Sequence, residues 1–533
     1  RLKPIGGVLC LGVPDAASSE VKSKAAKSIP AWLAATKLAA EHARITPAGG
    51  WSLLARGSLP GAGSWSHQYA NPGNTSSTED YRVKDGLSVL WYGEPGPGKM
   101  VNRHAGAVGP VSVNGRLFIQ GDETIMAYDA YNGLKLWERE NPGALRAGLK
   151  GAYEPGNLVA TEDSLFMVIE QECQELDAAT GRTKHTYVVP AGGGETNLQW
   201  GFVAHLDGIL FGTVTDRKVL APERKRRGGL AAEASDKVFA YDVKTHKLLW
   251  THQGQSISHV SMAVGDGRIF FVDSSLTAEQ REALLKQDKT ELKQLAGKAR
   301  EFAEERLKKL DLRLAVALDA KTGRKLWAQP VDVTDCSGVG IGAGSLSMMV
   351  HNNHLVLAGA NANGHYWQQF LAGEFERRRL VVLNATTGEK VWAKDANYRH
   401  RPIIIGSEII AEPWGFDLYS GAPKMRTHPL TGASTPWKFI RPGHHCGAIS
   451  ATPSMMFFRS MSTAYYNLDE DDGTQHFGGQ RLGCWINSIP ANGLVMVPEA
   501  SAGCVCLFSI AATIVFEPRA DKVNWGVYTA EGP

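Results

Sequence analysis

Short apolar strands separated by turn residues recur along most of the chain and predict repeated β-hairpins. In the segment Ala127–Trp137 (AYDAYNGLKLW), apolar and polar positions alternate on both sides of Asn132-Gly133. That pair suits the positive φ angles of a tight hairpin turn. The same order of Asp or Asn, then usually Gly, then usually Trp recurs in four more segments: ELDAATGRTKH from Glu175, AYDVKTHKLLW from Ala240, ALDAKTGRKLW from Ala317 and VLNATTGEKVW from Val382. An internal repeat of this kind predicts a repeat architecture.

The spacing of the repeat predicts a ring of four-stranded units. The motif positions Asp129, Asp177, Asp242, Asp319 and Asn384 lie 48 to 77 residues apart, whereas a four-stranded unit needs roughly 40–50 residues, so the longer spacings predict insertions. Two degenerate units from Ile403 and Ile449 and a terminal unit from Asn492 raise the count to eight. Sheets of this size bury both faces only against neighbours, and closing the ring removes exposed edges.

The predicted fold is therefore all-β. It is an eight-bladed β-propeller of four-stranded antiparallel blades, closed by the N-terminal strand Leu87–Tyr92 and carrying a helical insertion. Residues 1–50 are predicted as an appendage of a strand and a helix, and 51–86 as a Gly-, Pro- and Ser-rich loop packed on the propeller. Residues 87–519 form the predicted propeller, and 520–533 a tail. Within the appendage, a helix is predicted over Glu20–His42, interrupted by Pro30.

One insertion stands out within the predicted propeller. The run Leu276–Leu310 is dense in Glu, Lys, Ala and Leu and contains no Pro, so it predicts one or two surface helices within 276–312. Its polar character suits either a solvated decoration or an arm that docks a partner protein. Both interpretations are kept.

Composition narrows the function classes. The 533 residues carry a formal net charge of +3, which gives no reason to expect nucleic acid or an anionic membrane as the main partner. No stretch approaches the roughly 18 apolar residues of a membrane-spanning helix. Because the first residue is Arg and not Met, we expect a leader or an upstream segment before it.

The repeat resembles a known family. Its pattern, A-x-D-x-x-T-G-x-x-x-W, is similar to the PQQ-type repeat of quinoprotein dehydrogenases and of the propeller lipoproteins that assist outer-membrane assembly. The resemblance covers about 100–516 and implies a propeller, with relatives that are mostly bacterial and exported to the periplasm or beyond. Because that fold hosts both redox enzymes and inert scaffolds, it leaves open whether this chain is an enzyme. Separately, the first dozen residues (RLKPIGGVLCLG) resemble the late-sheet segment of class I SAM-dependent methyltransferases, without the Gly-rich cofactor loop.

Polar and cationic residues precede the predicted innermost strand of nearly every blade, and we expect them to meet at one mouth of the central channel. In chain order they are Arg103 and His104, Arg146 and Lys150, Glu195, Asn197 and Trp200, His259, Asp335 and Cys336, Arg399, His400 and Arg401, Arg441 with His444, His445 and Cys446, and Arg481 with Cys484 and Asn487.

Two chemistries compete for this mouth. The resemblance implies PQQ with Ca²⁺, for which Asp335 and Arg103 are the candidate catalytic residues. The candidate cofactor-binding residues are Glu195, Asn197, Trp200, Arg401 and Asn487. The second chemistry is a Cu or Zn site, for which the candidate ligands are His104, His444, His445, Cys446 and Cys484.

Further interpretations of the cysteines and of the whole protein stay open. Cys446 and Cys484 occupy matching points of adjacent predicted blades, so they are also candidates for a disulfide. No CxxCH motif occurs, so no covalent c-type haem is expected. The sequence thus predicts a quinoprotein-type oxidoreductase or a metal- or cofactor-binding propeller. The alternative is a non-catalytic scaffold that binds partner proteins through rim loops and Leu276–Leu310.

Overall fold

A computed structural model of the protein describes most of the chain. The described residues are 2–34, 43–48, 51–101, 109–141, 158–190, 198–216, 234–273, 276–308, 310–336, 346–359, 367–373, 375–443, 445, 447–483, 488–499, 501–502 and 510–519.

The N-terminal appendage is a small sheet with one helix against it. The sheet has the strand order β1-β3-β2 and is antiparallel; its strands are β1 (Gly7–Gly12), β2 (Ala43–Ala48) and β3 (Trp51–Arg56). Helix α1 (Ser19–Ala34) contacts β1 and β3. The predicted interruption at Pro30 is wrong, because α1 continues through it to Ala34. Pro30 lies in the last turn or so of the helix, where the missing N–H removes only one helical hydrogen bond.

Four-stranded antiparallel sheets follow in chain order and confirm the predicted all-β character. The first sheet contains β5 (Val111–Val113), β6 (Arg116–Gln120), β7 (Thr124–Asp129) and β8 (Lys135–Glu140). The second contains β9 (Leu158–Ala160), β10 (Ser164–Ile169), β11 (Glu172–Asp177) and β12 (Thr183–Val188).

The next seven strands form one sheet that two four-stranded units share. These strands are β13 (Leu198–Leu206), β14 (Ile209–Asp216), β15 (Ala234–Asp242), β16 (Lys247–Gly265), β17 (Arg268–Asp273), β18 (Leu312–Asp319) and β19 (Lys325–Asp332). The 19-residue strand β16 is outermost in one unit over its first half and innermost in the next over its second half. Its pairing with β17 shifts register between Ser258 and Met262.

The remaining sheets complete the series. One four-stranded sheet contains β20 (Leu346–His351), β21 (His354–Gly359), β22 (Arg379–Asn384) and β23 (Lys390–Asp395). A three-stranded sheet contains β24 (Ile403–Ile405), β25 (Glu408–Ala411) and β26 (Trp414–Asp417). A two-stranded hairpin, β27 (Met425–Thr427) and β28 (Ser434–Pro436), follows it. After these come β29 (Ser450–Ala451), β30 (Met455–Ser460), β31 (Ser462–Asn467) and β32 (Thr474–Phe477).

The last sheet combines three C-terminal strands with one strand from the N-terminal part of the chain. It contains β33 (Ile489–Ala491), β34 (Leu494–Val497) and β35 (Thr513–Pro518), and its fourth strand is β4 (Leu87–Gly93). Strand β4 pairs antiparallel with β35, and Trp91 lies opposite Val515.

Two helices lie where the insertion was predicted, α2 (Ala278–Leu292) and α3 (Gly297–Lys308). A short helix, α4 (Trp367–Leu371), and a 3₁₀ turn, Pro97–Lys99, complete the elements. No helix within the described ranges has both the length and the apolar character needed to span a bilayer.

The apolar core lies between adjacent sheets, and five tryptophans donate hydrogen bonds to the hairpin of the neighbouring unit. Trp137 donates its indole N–H to the Ala178 carbonyl in the hairpin of the following sheet, at 3.0 Å. Its ring covers Gly181, whose φ is +71°. The same bond joins Trp250 to Ala320, Trp327 to Ala385, Trp392 to Leu418 and Trp91 to Ala130, at 2.8 to 3.1 Å.

The segment 63–80, which we call the plug, lies across the inner ends of the sheets. Its backbone or side chains form hydrogen bonds with the first strand of each sheet unit in turn: Ser112 of β5, Ala160 of β9, His205 of β13, Val264 of β16, Val350 of β20, Ile404 of β24, Ala451 of β29 and Pro490 of β33. The plug therefore covers one end of the space that these strands surround. The sequence predicted a loop packed on the propeller, but not this position.

Candidate anion-binding site

Of the residues predicted to be catalytic, cofactor-binding or metal-binding, those in described parts of the chain are Trp200, Asp335, Arg401 and His445. Arg103, His104, Glu195, Asn197, His444, Cys446, Cys484 and Asn487 lie outside them, and so does the candidate disulfide between Cys446 and Cys484. Their predicted roles stay predictions.

A buried ion cluster lies at the end of the sheets opposite the plug. Its carboxylate, Glu412, directly follows β25, while Arg399 precedes β24 and Arg441 precedes β29. The Nε of Arg441 donates to Glu412 Oε2 at 2.9 Å, its backbone N–H donates to Oε1 at 2.9 Å, and Arg399 Nη2 donates to Oε1. All three residues are at most 2% exposed. Buried charges of this kind are stable only when paired and hydrogen-bonded.

The charge balance within this cluster favours the anionic form of Glu412. Burial alone would raise the pKa of Glu412, but the guanidinium groups of Arg441 and Arg399 outweigh it and lower the pKa to about 2. Among the described residues, one carboxylate therefore faces two arginines.

Two histidines adjoin the cluster. His400 Nε2 lies 3.7 Å from Glu412 Oε2, and the ring of His400 meets that of His445 edge to face, with 5.2 Å between centroids. Burial, followed by the charge of Arg441, lowers the pKa of His445 to about 3, so this imidazole is neutral. Its Nδ1 lies 2.8 Å from the Gly443 carbonyl, which assigns the proton to Nδ1 and leaves a lone pair on Nε2. That tautomer suits the predicted metal-ligand role.

Arg481 adds a cation whose hydrogen bonds are incomplete. It precedes β33 at the same end of the sheets and is 7% exposed. Its Nε and Nη2 atoms have no acceptor among the residues that the structure describes. His445 Nε2 also lacks a hydrogen-bond partner among those residues. A buried guanidinium that lacks acceptors is costly, and an anionic ligand would supply them.

Arg401 connects this end of the sheets with the plug. Its guanidinium lies 3.9 Å from the ring centroid of Tyr69, and Nη1 donates to Ser76 Oγ at 2.7 Å. Burial, partly offset by Tyr69, lowers the pKa of Arg401 to about 10, so the group is charged at neutral pH. The predicted cofactor-binding cation is thus held by the plug.

The other described candidates differ in position. Trp200 is 1% exposed and packs edge to face on Phe239, with 4.7 Å between ring centroids, inside the core between two sheets. This is a structural environment and not an open stacking surface. Asp335 lies in the turn after β19 with φ of +56°, next to Cys336. Cys336 is buried, and burial raises the pKa of its thiol to about 12, so it is a protonated core residue.

No metal centre emerges from the described residues: within those ranges, no three His, Cys, Asp or Glu side chains converge as a metal ion requires. Most of the predicted ligands are outside those ranges, so the transition-metal hypothesis stays a prediction.

Glu412 was missed as a site residue at the sequence level. The available signal was a carboxylate directly after an apolar strand, in the run IIIGSEIIAE. A charge at the end of a buried strand predicts a partner of opposite charge, and Arg399 and Arg441 had both been noted at equivalent positions.

The sequence matches no protein-family model and no curated protein. Solved structures similar to this fold include quinohemoprotein alcohol dehydrogenase from Comamonas testosteroni (13% identity, 87% of this chain, 83% of that chain, TM-score 0.48). A europium-containing methanol dehydrogenase is also similar (13% identity, 86% of this chain, 98% of that chain, TM-score 0.46). So is BamB from Moraxella catarrhalis (12% identity, 68% of this chain, 81% of that chain, TM-score 0.34). The resemblance of RLKPIGGVLCLG to class I SAM-dependent methyltransferases is not supported.

Proposed function

We propose that the chain is an eight-bladed β-propeller that binds a small anionic redox cofactor at the Arg- and His-rich end of its central channel. The candidate cofactor is PQQ, a quinone with three carboxylates. The observation that carries the proposal is Arg481, a buried cation with two N–H groups that face no acceptor among the described residues. It lies at the same end of the sheets as Arg399, Arg401 and Arg441.

The blade count and the closure of the ring belong to this proposal. Eight first strands are contacted in order by the plug, which is the arrangement expected if they line one channel. The pairing of β4 with β35 supports closure, and so does the bond from Trp91 to Ala130, which repeats the contact between other adjacent sheets.

The residues present fit a polycarboxylate. Guanidinium groups bind carboxylates through paired charge-assisted hydrogen bonds, and Glu412 is already neutralised by Arg399 and Arg441. Arg481 would hold an anionic group, whereas the Nη atoms of Arg401 already donate to Ser76, Pro402 and Asn74. When bound, a quinone supplies the two-electron redox chemistry, while the protein binds, orients and excludes water.

The remaining predicted roles form a second layer of the proposal. Asp335 and Arg103 are the proposed catalytic pair, and Glu195, Asn197 and Asn487 the proposed cofactor or Ca²⁺ ligands. Trp200 is left out of the ligand contacts because its ring is enclosed in the core. A periplasmic or otherwise exported location is proposed with the same function, and cell fractionation of the native host tests it.

The proposal is tested on the purified full-length chain by absorption spectroscopy, metal analysis and titration with PQQ. We expect saturable PQQ binding that strengthens or gains catalytic competence when Ca²⁺ is added. No binding with or without Ca²⁺ would contradict the proposal.

In that case the scaffold hypothesis becomes the better account. In this hypothesis, partner proteins bind the rim loops and the arm formed by α2 and α3. The guanidinium of Arg377 lies 3.5 Å from the centroid of the Phe302 ring in α3 and so connects the arm to the sheets. A pull-down that succeeds with the full chain and fails after removal of 276–310 would support it.

A further inference from the structure

A second concave site lies on the opposite face of the molecule, outside the plug. It is a depression of about 1240 Å³. Its wall is built from the turns that join the first and second strands of several sheets, and its floor from plug residues. The Arg and His cluster lies at the other end of the same strands, so the two sites are separate in space.

Neutral groups that both donate and accept hydrogen bonds line much of the depression, alongside the carboxylates of Glu79, Glu162, Glu408 and Asp469. The neutral groups are hydroxyls and amides from the plug and the turns: Ser64, Ser66, Asn71, Thr75, Ser77 and Asn352. Sugar hydroxyls have the same double capacity, so such a lining complements a polyol better than it complements an ion.

Charge around the depression argues against an anionic ligand. Glu79, Glu162 and Asp469 are all exposed residues of its lining. The ammonium of Lys424, which also lines it, is paired with Glu408 at 2.5 Å. An acidic rim repels anions, whereas the opposite end of the strands attracts them.

The polar floor is held in place before any ligand arrives. Asn71 Nδ2 donates to Thr75 Oγ1 at 2.7 Å and to the Ser77 carbonyl at 3.2 Å. On the wall, the Tyr131 hydroxyl donates to the Asn492 carbonyl at 3.0 Å. Side chains that are already ordered lose little entropy on binding, which favours specific recognition of a small ligand.

Tyr81 supplies an exposed aromatic surface at the same depression. Its side chain is 63% exposed, although its backbone N–H is fixed to the Gly61 carbonyl at 2.9 Å. The electron-rich face of an aromatic ring attracts the polarised C–H groups that one face of a pyranose presents. An exposed tyrosine ring beside neutral hydroxyl and amide groups suits a saccharide.

We propose that the depression formed by the outer face of the plug and the surrounding turns binds a neutral oligosaccharide. Tyr81 stacks on one sugar ring, and the hydroxyls and amides of the floor bind the sugar hydroxyls. This proposal does not depend on cofactor binding at the other end.

The test is calorimetric titration of the full chain with maltotriose, cellotriose and chitotriose, with spermidine and citrate as charged probes. We expect at least one trisaccharide to bind, and Tyr81→Ala to weaken that binding by about fivefold to tenfold. Tyr92→Ala is the matched control, because Tyr92 is 73% exposed on strand β4, away from the depression. That variant should bind as the parent does.

Three outcomes would overturn the proposal. They are failure of all three trisaccharides to bind, binding that Tyr81→Ala leaves unchanged, and spermidine binding that displaces the sugar, which would make the depression a cation site. Urea unfolding of both tyrosine variants shows whether each remains folded, so loss of binding can be separated from loss of structure.

Discussion

The indole N–H of Trp91 donates to the carbonyl of Ala130 at 2.8 Å, and the Trp91 ring covers Gly133. Trp91 belongs to a strand that pairs with the last strand of the chain, whereas Ala130 belongs to the first four-stranded sheet. The contact therefore joins the sheet that contains β4 and β35 to the first four-stranded sheet. We expect Trp91→Ala to lower the free energy of unfolding by about 2–4 kcal/mol in urea titrations, and Trp91→Phe to cost roughly 1 kcal/mol through the lost hydrogen bond.

Tyr92→Ala on the same strand is the control, since that side chain is 73% exposed. If Trp91→Ala and Tyr92→Ala have equal effects, the contact with Ala130 does not stabilise the protein.

A motif glycine and a glycine in the turn between β13 and β14 offer a comparison between steric clash and backbone strain. Gly181 (φ +71°) and Gly208 (φ +76°) share a left-handed backbone, but a Cβ at Gly181 would lie 2.6 Å from the Trp137 ring, whereas one at Gly208 meets nothing within 4 Å. We expect Gly208→Ala to cost about 1 kcal/mol through strain, and Gly181→Ala about 1–3 kcal/mol more through the clash. Thermal unfolding of the two variants measures the difference in stability. Equal losses of stability would show that the Trp137 ring can move aside without an energetic penalty.

Asp80 anchors the end of the plug. Its Oδ2 accepts the backbone N–H groups of Gly63 and Gly493, at 3.0 and 2.7 Å, and its Oδ1 accepts those of Arg82 and Val83. We expect Asp80→Ala to destabilise the protein by about 2–4 kcal/mol, because several buried N–H groups lose their acceptor. Hydrogen exchange within 63–80 should accelerate more than exchange in β30. Unchanged exchange in the plug would contradict this role.

The plug also predicts a pH dependence through His67. Burial, and then the neighbouring His205, lowers the pKa of His67 to about 3 from its ordinary 6.5. Its ring contacts Ser66 Oγ and the backbone N–H of His205, and neither group compensates a positive charge. The unfolded chain binds a proton below pH 6.5 and the folded protein does not, so stability should fall as pH drops from about 6.5 towards 3. His67 contributes at most about 1.4 kcal/mol per pH unit to this slope, and His445, whose pKa is also lowered to about 3, contributes in the same direction.

Urea titrations at pH 7, 6, 5 and 4 measure that slope. His67→Gln should flatten it, whereas His476→Gln, at an exposed position, should leave it unchanged. If the slope is identical in His67→Gln, another group is responsible for the pH dependence.

The hairpin repeat could be predicted from the sequence because each of its residues acts at a fixed offset within a short segment. Asp, Gly and Trp each serve a turn or an inter-sheet contact at a fixed offset, and the structure places them there. The exception follows the same logic: His185 stands where the motif Trp is expected, His246 stands where the next motif Gly is expected, and their rings stack at 3.8 Å.

The plug and the Glu412 cluster were not readable in the same way. Each depends on contacts between residues far apart in the chain, such as Asn74 with Met262 and Arg441 with Glu412. A polar loop sequence carries no periodicity that states where it lies. A list of arginines before strands likewise does not show which of them already have a carboxylate.

The central claim is that the Arg- and His-rich end binds a polycarboxylate, and the affinity of Arg481 variants for PQQ tests it most directly. We predict that Arg481→Ala raises the dissociation constant by about tenfold to a hundredfold, and that Arg481→Lys raises it less. Arg324→Ala, in the exposed Asp319 hairpin, should leave it unchanged. A parent protein that binds PQQ with an affinity that Arg481→Ala does not alter, while urea unfolding shows that the variant is folded, would contradict the claim.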